Sequence, residues 1–288
     1  LRKGQYIGTV QTAEATEESL TEMMVGKKVS LNIDRPEPVN PRKRLEVQGV
    51  TCVNKEGVRT LDNATFTAYS GEILGVAGLQ GHGQTELLNA VSGLYPLSGG
   101  SIIVNGKQVG IKNAGQAIAN GIALVPSDRK NQGLMLELSN RHNLAISSMK
   151  KRMKGCFIDK KAEQAFSESM ASKLSIKMGG LDLPVSSLSG GNQQKVVISR
   201  WLLEDGDVYI FDEPTKGVDV GAREEIYKLI EKLAKEQKIV IMVSSNMPEL
   251  ISMSDRIGVM REGRLVRILD SADVTEDGLI KEYIGVKE

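Results

Sequence analysis

A short glycine-rich segment contains residue types that bind phosphate. Residues 78–85 read GLQGHGQT and fit the pattern G-x-x-x-x-G-K-[ST] at every defined position except one, where Gln84 replaces lysine. Glycines let the backbone curl so that several N–H groups point at one phosphate, with the N-terminus of a helix behind them. Taken alone, the segment also fits an ordinary strand-to-helix turn. The residues expected to contact phosphate are Gly78, Gly81, Gly83, Gln84, Thr85 and Glu86.

Two carboxylates follow an apolar segment farther along the chain. Residues 208–211 are apolar, and Asp212 and Glu213 come next. This placement puts Asp212 near a metal ion and Glu213 beside a water that attacks phosphorus. The hydroxyl of Thr85 can supply a second ligand for a bound magnesium ion. An acidic pair at a strand end is common, but its continuation as PTKGVD over 214–219 is rare in random sequence.

A third segment, LSGGNQQK over 188–195, offers a hydroxyl, two residues without side chains and the start of a helix. This combination is suited to contacting a terminal phosphate from outside. A Ser-Gly-Gly helix cap is unremarkable on its own, whereas its order and spacing with the other two segments are specific. The residues expected to make the contact are Ser189, Gly190, Gly191, Asn192 and Gln193.

The elements that must position these segments alternate between short apolar strands and amphipathic helices. The three strand and helix pairs are 72–77 with 84–91, 207–211 with 223–234, and 239–243 with 248–253. This alternation predicts an α/β core with a largely parallel sheet. Between 140 and 187 the strand signal disappears and 160–174 has the pattern of a helix. We therefore expect an inserted helical part at about 130–187.

Composition indicates an ordinary globular protein. The 288 residues are 40% apolar and 25% charged, and the formal net charge is +1. So small a net charge provides no broad field toward nucleic acid or an anionic membrane. The basic residues at 150–154 are interpreted first as a solvated helix end, in preference to a nucleic-acid patch. Contact with lipid head groups is a weaker interpretation. The longest apolar runs, such as 239–243, are too short to span a bilayer.

The N-terminal residues resemble the C-terminal ones. When 1–28 are laid over the chain from Met260 onward without a gap, eight positions match. They include a turn glycine, a Thr-Glu pair that opens a helix and a glycine that closes it. We interpret 1–28 as the tail of a preceding homologous domain. Three prolines and several charges favour an extended linker at 29–44, and the main domain then covers 45–288.

From about residue 45 to 268, the chain resembles the nucleotide-binding domains of ATP-binding cassette (ABC) transporters, through the three segments described above. The resemblance implies a P-loop NTPase core with a mostly parallel sheet, an antiparallel β subdomain and an inserted α-helical subdomain. It also implies ATP and magnesium as cofactors. Residues 188–194 then correspond to the family signature, Asp212 and Glu213 to the metal-binding and catalytic carboxylates, and Asp219 to a loop aspartate that crosses to a partner domain. Two such domains meet head to tail in this family, so each ATP lies between one phosphate loop and the other domain's signature.

Four local contacts depart from the family pattern. Gln84 replaces the lysine, Ser127 stands where a glutamine follows Val-Pro, and Ser245 stands where a histidine follows serine. The adenine-stacking aromatic residue is also missing, since 54–57 read NKEG. A charge-assisted bond contributes about 1.5–3 kcal/mol, so losing the lysine alone weakens phosphate binding by about tenfold to a hundredfold or more. We therefore expect a degenerate local site.

A closer similarity is to the second, C-terminal cassette of fused bacterial importers for simple sugars such as ribose, xylose and galactose. Three stretches carry it, at 125–130, 217–230 and 244–254. The similarity implies a first cassette in the same polypeptide, and membrane permease subunits contacted by 127–144 and the helical part. It also implies a periplasmic or extracellular sugar-binding protein as an indirect partner and no nucleic acid partner. The implied location is peripheral, at the cytoplasmic face of the cell membrane.

The importer interpretation has two alternatives. The first is a soluble ABC ATPase that acts on nucleic acid or ribosomes, although ribosome-acting relatives usually keep both phosphate loops intact. The second is a regulatory subunit that binds ATP without powering transport. Under the importer interpretation, the domain donates its signature to the ATP of the first cassette. The isolated chain is then expected to have negligible ATPase activity.

Overall fold

The computed structural model describes residues 5–12, 15–16, 19–20, 22–23, 43–202 and 206–285. The predicted linker lies outside the described residues up to position 42, and so do many residues of the segment 1–28. The described strands are β1 (Lys43–Val53), β2 (Arg59–Tyr69), β3 (Ile73–Ala77), β4 (Gly99–Val104), β5 (Lys107–Val109), β6 (Ile122–Val125), β7 (Met153–Lys154), β8 (Phe157–Ile158), β9 (Val208–Asp212), β10 (Ile239–Val243), β11 (Arg256–Arg261) and β12 (Arg264–Asp270).

The α-helices described here lie within 43–202 and 206–285. They are α1 (Gln84–Val91), α2 (Ala114–Ala119), α3 (Asn140–Ala145), α4 (Lys160–Lys173), α5 (Gly190–Trp201), α6 (Val220–Lys235), α7 (Met247–Met253) and α8 (Glu276–Ile284). None of the helices in the described ranges is both long enough and apolar enough to cross a bilayer.

The larger sheet has six strands in the order β12, β11, β3, β10, β9, β6. Every neighbouring pair is parallel except β11 with β12. All residues of β3 and β10 are buried, because a parallel sheet is covered on both faces. The predicted α/β core with a largely parallel sheet is confirmed. The three predicted strand and helix pairs are also present, within a few residues of the expected bounds.

The parallel arrangement brings four loops to one edge of the larger sheet. The strands β3, β6, β9 and β10 run in the same direction, so their carboxyl ends lie side by side. The segment 78–83 follows β3, Ser127 follows β6, Glu213 follows β9, and 244–246 follows β10. Ligands of open α/β sheets bind at this edge. The fold therefore gathers the predicted phosphate loop and the two carboxylates.

A smaller antiparallel sheet joins β2, β1, β4 and β5 in that order. Along the second half of β2, buried residues alternate with more exposed ones, as expected for a sheet with one face in the core. Its buried face includes Leu45, Leu61 and Ile102, which share a hydrophobic cluster with Leu88 and Val91 of α1. This sheet is the antiparallel β subdomain that the family resemblance implies.

The helical part contains α3, α4 and a 3₁₀ helix, Ile146–Arg152. The expectation that strands disappear between 140 and 187 is wrong, because β7 and β8 pair as an antiparallel hairpin. Strands of two residues are too short to show an alternating pattern. The interpretation of 150–154 as a solvated helix end is also wrong for Arg152. This residue is buried, and its guanidinium lies 3.8 Å from the centre of the Phe166 ring.

Candidate functional site

The phosphate loop joins β3 to α1. Its backbone has positive φ angles at Gly81 (86°) and at Gly83 (103°), which immediately precedes α1. Residues with a Cβ rarely adopt this conformation, so glycine is favoured at both positions. A Cβ on Gly83 would also lie 3.0 Å from the Cα of Gly263, in the turn between β11 and β12. The loop thus has a curled backbone in front of a helix, and Thr85 and Glu86 lie in the first turn of that helix.

Gln84 is turned toward its own loop. The residue is 8% exposed, and its Nε2 donates a hydrogen bond of 3.1 Å to the backbone oxygen of Leu79. The same nitrogen fills the space beside Gly78, where an added Cβ would approach it to 2.5 Å. The amide that replaces lysine is therefore neutral, and one of its two N–H groups is already satisfied within the loop.

Asp212 ends β9 and accepts hydrogen bonds from the hydroxyl and the backbone N–H of Ser127. Thr85, Ser127 and Asp212 line one cavity of about 520 Å³. Burial raises the pKa of Asp212, while the bonds from Ser127 and the charge of Lys216 act in the opposite direction. Ser127 therefore holds the Asp212 carboxylate in place.

Glu213 has a left-handed backbone with φ of 50°, and its N–H donates to the backbone oxygen of Val243 at 2.9 Å. Its carboxylate faces Ser245. The Ser245 N–H donates to Oε1 at 2.7 Å, and the Ser245 hydroxyl donates to Oε2 at 3.1 Å. Burial raises the pKa of Glu213, and the two bonds from Ser245 oppose that rise. Each carboxylate oxygen thus has a donor within the protein.

The signature segment forms the start of α5. Ser189 is exposed at the N-cap position, and its Oγ accepts a hydrogen bond of 2.9 Å from Nδ2 of Asn192. Oδ1 of Asn192 accepts in turn from the backbone N–H of Lys177 at 2.9 Å. Gln193 is buried and donates to the backbone oxygen of Leu188 at 3.2 Å. An exposed hydroxyl is therefore held at the N-terminus of a 12-residue helix.

The two signature glycines pack against the segment that follows β9. A Cβ on Gly191 would collide with the Cβ of Ala222, and one on Gly190 would lie 3.2 Å from the backbone oxygen of Gly217. Asp219 begins α6 by accepting a hydrogen bond of 3.0 Å from the N–H of Ala222. The missing side chains therefore let the N-terminal ends of α5 and α6 lie in contact.

The predicted site residues thus occupy two places. Thr85, Ser127 and Asp212 share one cavity, and Glu213 with its Ser245 partner adjoins them at the ends of β9 and β10. The signature lies away from this cavity. If a Cβ is added to either signature glycine, its nearest atoms belong to the segments after β6 and β9 and to α6. None of these atoms belongs to the phosphate loop at 78–85.

Arg129 connects these segments, and the sequence pattern does not single it out. Its Nη1 donates to the backbone oxygen of Lys216 at 2.9 Å, and its Nη2 donates to that of Gly217 at 3.2 Å. Nη2 also lies where a Cβ on Gly190 would meet it, at 3.0 Å. One guanidinium therefore joins the loop after β6 to the loop after β9, beside the signature. The one feature of the sequence that could have pointed to Arg129 is its position in the stretch VPSDRK at 125–130.

A buried carboxylate, Glu249, links two further loops. It is 4% exposed, and its oxygens accept hydrogen bonds from the hydroxyls of Thr215 at 2.7 Å and Ser244 at 2.5 Å. The hydroxyl of Tyr227 also forms a hydrogen bond with Glu249. Burial and the charge of Glu249 raise the pKa of Tyr227. The loops after β9 and β10 are thereby tied together. The sequence pattern misses this contact because the partner Thr215 lies 34 positions away.

Known proteins resemble this chain in sequence and in fold. A family model described as ABC transporter matches residues 61–216. The chain belongs to the ABC transporter family, as an ATP-binding domain. It is 39% identical over 285 residues to the ribose import ATP-binding protein RbsA of Geobacillus kaustophilus, covering 99% of this chain and 57% of the relative. It is 41% identical over 288 residues to RbsA 1 of Streptomyces avermitilis, covering 100% of this chain and 54% of the relative.

The chain therefore spans little more than half the length of these curated relatives. Two solved structures have the same fold. One is cbiO1 from Clostridium perfringens, part of the ABC transporter complex cbiONQ, with a TM-score of 0.68 at 22% identity over 84% of this chain and 94% of that one. The other is a nucleotide-free ATP-binding cassette from an ABC transporter, with a TM-score of 0.69 at 19% identity over 85% and 96%. At these identities the likeness identifies the fold, an ABC cassette with a P-loop NTPase core.

Proposed function

We propose that the chain is one ATPase half of a bacterial simple-sugar importer, and that its signature serves an ATP bound by another cassette. One observation carries this proposal. The local phosphate loop bonds its own Gln84 inward, whereas the signature hydroxyl of Ser189 is held at an exposed helix N-terminus. The ribose import relatives, which are about twice as long, support the sugar importer as the setting.

The cavity lined by Thr85, Ser127 and Asp212 offers oxygen donors suited to the magnesium of a bound nucleotide. Thr85 and Asp212 offer a hydroxyl and a carboxylate, which are hard oxygen donors, and both line the cavity. Proteins usually hold Mg²⁺ through few side chains, with phosphate oxygens and waters completing the coordination. When bound, the ion neutralises charge on the phosphate oxygens. Thr85 and Asp212 would hold it, and Ser127 would keep the Asp212 carboxylate oriented.

Slow turnover in the local site is the second part of the proposal. Glu213 is the residue that would orient a water, but both of its oxygens accept hydrogen bonds from Ser245. Gln84 supplies no positive charge, and its amide bonds with Leu79. Each of these contacts must be broken or shared before the site can act on phosphate. The local site therefore holds nucleotide with little hydrolysis.

The partner cassette is proposed to precede this domain in the same polypeptide. Two capping arrangements support the repeat between 1–28 and the C-terminal residues. Near the C-terminus, Oγ1 of Thr275 accepts from the N–H of Gly278 at 3.1 Å. At the matching positions, Oγ1 of Thr16 accepts from the N–H of Ser19 at 3.1 Å. The following residue makes the same contact in both segments. The Leu20 N–H donates to the backbone oxygen of Thr16 at 3.0 Å, and the Leu279 N–H donates to that of Thr275 at 2.9 Å.

The remaining partners follow from the importer setting. Membrane permease subunits would contact 127–144 and the helical part, and a sugar-binding protein would act through those subunits. The domain would lie at the cytoplasmic face of the cell membrane as a peripheral component. The boundaries proposed for it remain the linker at 29–44 and the domain at 45–288.

Steady-state ATP hydrolysis tests the proposal directly. We expect the chain alone to hydrolyse ATP negligibly, and a full-length polypeptide that contains both cassettes to hydrolyse it readily. Uptake of labelled ribose into cells that lack the gene should return only with the full-length polypeptide. Brisk hydrolysis by the chain alone would contradict the proposal that the local site is degenerate. Uptake without ATP hydrolysis would contradict the proposal that ATP drives the importer.

A further inference from the structure

The hairpin of β7 and β8 presents apolar side chains to solvent. Phe157 is 80% exposed, and beside it on the hairpin Met153 is 43% and Ile158 is 39% exposed. Gly155 has a φ of 63° in the turn, and Cys156 next to it is exposed. Exposing so much of a phenylalanine is unfavourable in water, because the removal of apolar surface from water is favourable. The hairpin tip therefore has the chemistry of a surface that is covered by something else.

The base of the hairpin is held firmly. The guanidinium of Arg152 donates to the backbone oxygen of Ala145 and to the Ser148 hydroxyl, both at 2.7 Å. Asp159 donates its N–H to the backbone oxygen of Arg152 at 2.8 Å and caps α4 through the N–H groups of Lys161 and Ala162. The apolar tip is thus mounted on an ordered support, so its exposure belongs to the folded structure.

The surroundings of the tip are strongly basic. Residues 150–161 contain six basic residues and one acidic residue, a net charge of +5, although the whole chain has only +1. Lys150, Lys151, Lys160 and Lys161 are exposed. Lys154 pairs with Asp159 at 2.7 Å and is still 80% exposed. The remaining 276 residues therefore have a net charge of −4, and the positive charge is concentrated around this hairpin.

From this combination we infer that the hairpin 153–158 and its lysines bind an anionic lipid surface, with Phe157 entering the boundary between head groups and acyl chains. Apolar side chains surrounded by lysines are the pattern of interfacial membrane binding. Clusters of four to eight basic residues favour anionic head groups. A protein partner would need an acidic apolar pocket, whereas a lipid surface supplies both properties at once. This binding goes beyond the proposed function and is measured without ATP turnover.

The test uses the chain with lipid vesicles. In flotation, we expect binding to vesicles made of equal parts of phosphatidylcholine and phosphatidylglycerol, and much weaker binding to phosphatidylcholine alone. Phe157→Ala should weaken binding about tenfold or more, and Phe157→Trp should keep it. The double change Lys150→Gln with Lys151→Gln should weaken it by a similar factor. Matched controls are Val58→Ala, at another exposed apolar residue, and Lys107→Gln with Lys112→Gln, at exposed lysines elsewhere.

Cys156 provides a direct readout at the tip. It is exposed whereas Cys52 is buried, so a polarity-sensitive thiol dye will label Cys156. Its emission should shift to shorter wavelength with the anionic vesicles and remain unchanged with the neutral ones. Equal binding to both vesicle types, an unshifted dye, or equal losses in the control variants would overturn the inference. The inference would also be overturned if Phe157 bound permease subunits in detergent and the chain did not bind vesicles. That result would assign the hairpin tip to a protein partner.

Discussion

Gln84 and Glu213 each have their polar groups satisfied within the proposed phosphate site. The Gln84 amide fills the space beside Gly78 and bonds to the Leu79 oxygen, so the loop is internally satisfied without a cation. The Glu213 carboxylate is likewise satisfied by Ser245. Both identities are visible in the sequence. Their orientations are not, because each depends on a backbone atom or a side chain that only the folded loop brings near.

Restoring the lysine should strengthen local nucleotide binding. Gln84→Lys returns a charge-assisted contact that contributes about 1.5–3 kcal/mol, so affinity for ATP with magnesium should rise about tenfold or more. Titration of the chain with a fluorescent ATP analogue measures this. Gln80→Lys places the same charge at an exposed position of the same loop and serves as the control. Equal gains in the two variants, or no gain in Gln84→Lys, would contradict the role assigned to position 84.

The raised pKa of Glu213 makes a definite prediction about pH. Folding favours its protonated form, because burial raises the native pKa above the ordinary value of 4.5. The free energy of unfolding should therefore fall as pH rises from that ordinary value through the raised native one, and this contribution is constant above it. The side chain in Glu213→Gln cannot ionise, so the variant should lack the part of the fall in unfolding free energy that Glu213 causes. Asp212, whose pKa is also raised, should still cause its own part of that fall.

Urea unfolding at a series of acidic to neutral pH values measures the difference between wild type and Glu213→Gln. Glutamine can still accept from the Ser245 N–H and donate to the Ser245 hydroxyl, so the fold is retained. Glu236→Gln changes a carboxylate that is half exposed and is the control. Parallel curves for wild type and Glu213→Gln would show that the Glu213 pKa is not raised in the native state.

The loops after β9 and β10 act as one unit through Glu249. Replacing it with alanine leaves the buried hydroxyls of Thr215 and Ser244 without their acceptor, and each unsatisfied group costs about 1–3 kcal/mol. We expect Glu249→Ala to lower the free energy of unfolding by about 2–4 kcal/mol in urea, and Glu249→Gln to cost less. Glu236→Ala removes an exposed ion pair and should change stability by about 0.5 kcal/mol or less. Equal effects at positions 249 and 236 would contradict the network.

Contact between α5 and α6 fixes the start of the signature helix. Gly191→Ala would place its Cβ against that of Ala222, and overpacking of this kind costs about 1–3 kcal/mol. Ala222→Gly removes the opposing methyl group, so the two changes together should cost less than their sum. A double-mutant cycle of unfolding free energies measures this coupling. Strictly additive losses would show that the two positions do not meet.

Secondary elements were predictable where their patterns were long. The continuous apolar run of β10 and the helical period of the 16-residue helix α6 are both visible in the sequence, which predicts both elements. The sequence pattern does not predict the hairpin of β7 and β8, because two-residue strands have no measurable period. The pattern does not predict the burial of Arg152 either, since its contacts with Ala145 and Phe166 depend on the packing of the helical part. Local pattern thus predicts the main elements, and tertiary contacts decide the rest.

The whole molecule separates the two surfaces that are proposed to contact phosphate. The order of parallel strands brings Thr85, Ser127 and Asp212 to one sheet edge, as motif order and strand alternation predict. The signature at Ser189 instead projects from α5 and is supported by Arg129 and the loop after β9. The signature surface does not include residues of the local phosphate loop, so it is suited to a second cassette that supplies one. This separation is the basis for assigning the two surfaces to different ATP molecules.

ATP turnover by a full-length polypeptide with both cassettes tests signature donation most directly, with Ser189→Glu compared against Glu213→Gln. A carboxylate at position 189 suits the exposed helix N-terminus and keeps the fold, but it repels a phosphate held by the partner. Ser187→Glu, at an exposed residue nearby, is the control. We predict that Ser189→Glu lowers kcat by about a hundredfold or more, while Glu213→Gln and Ser187→Glu leave most of it. Loss of turnover in Glu213→Gln with normal turnover in Ser189→Glu would contradict the account.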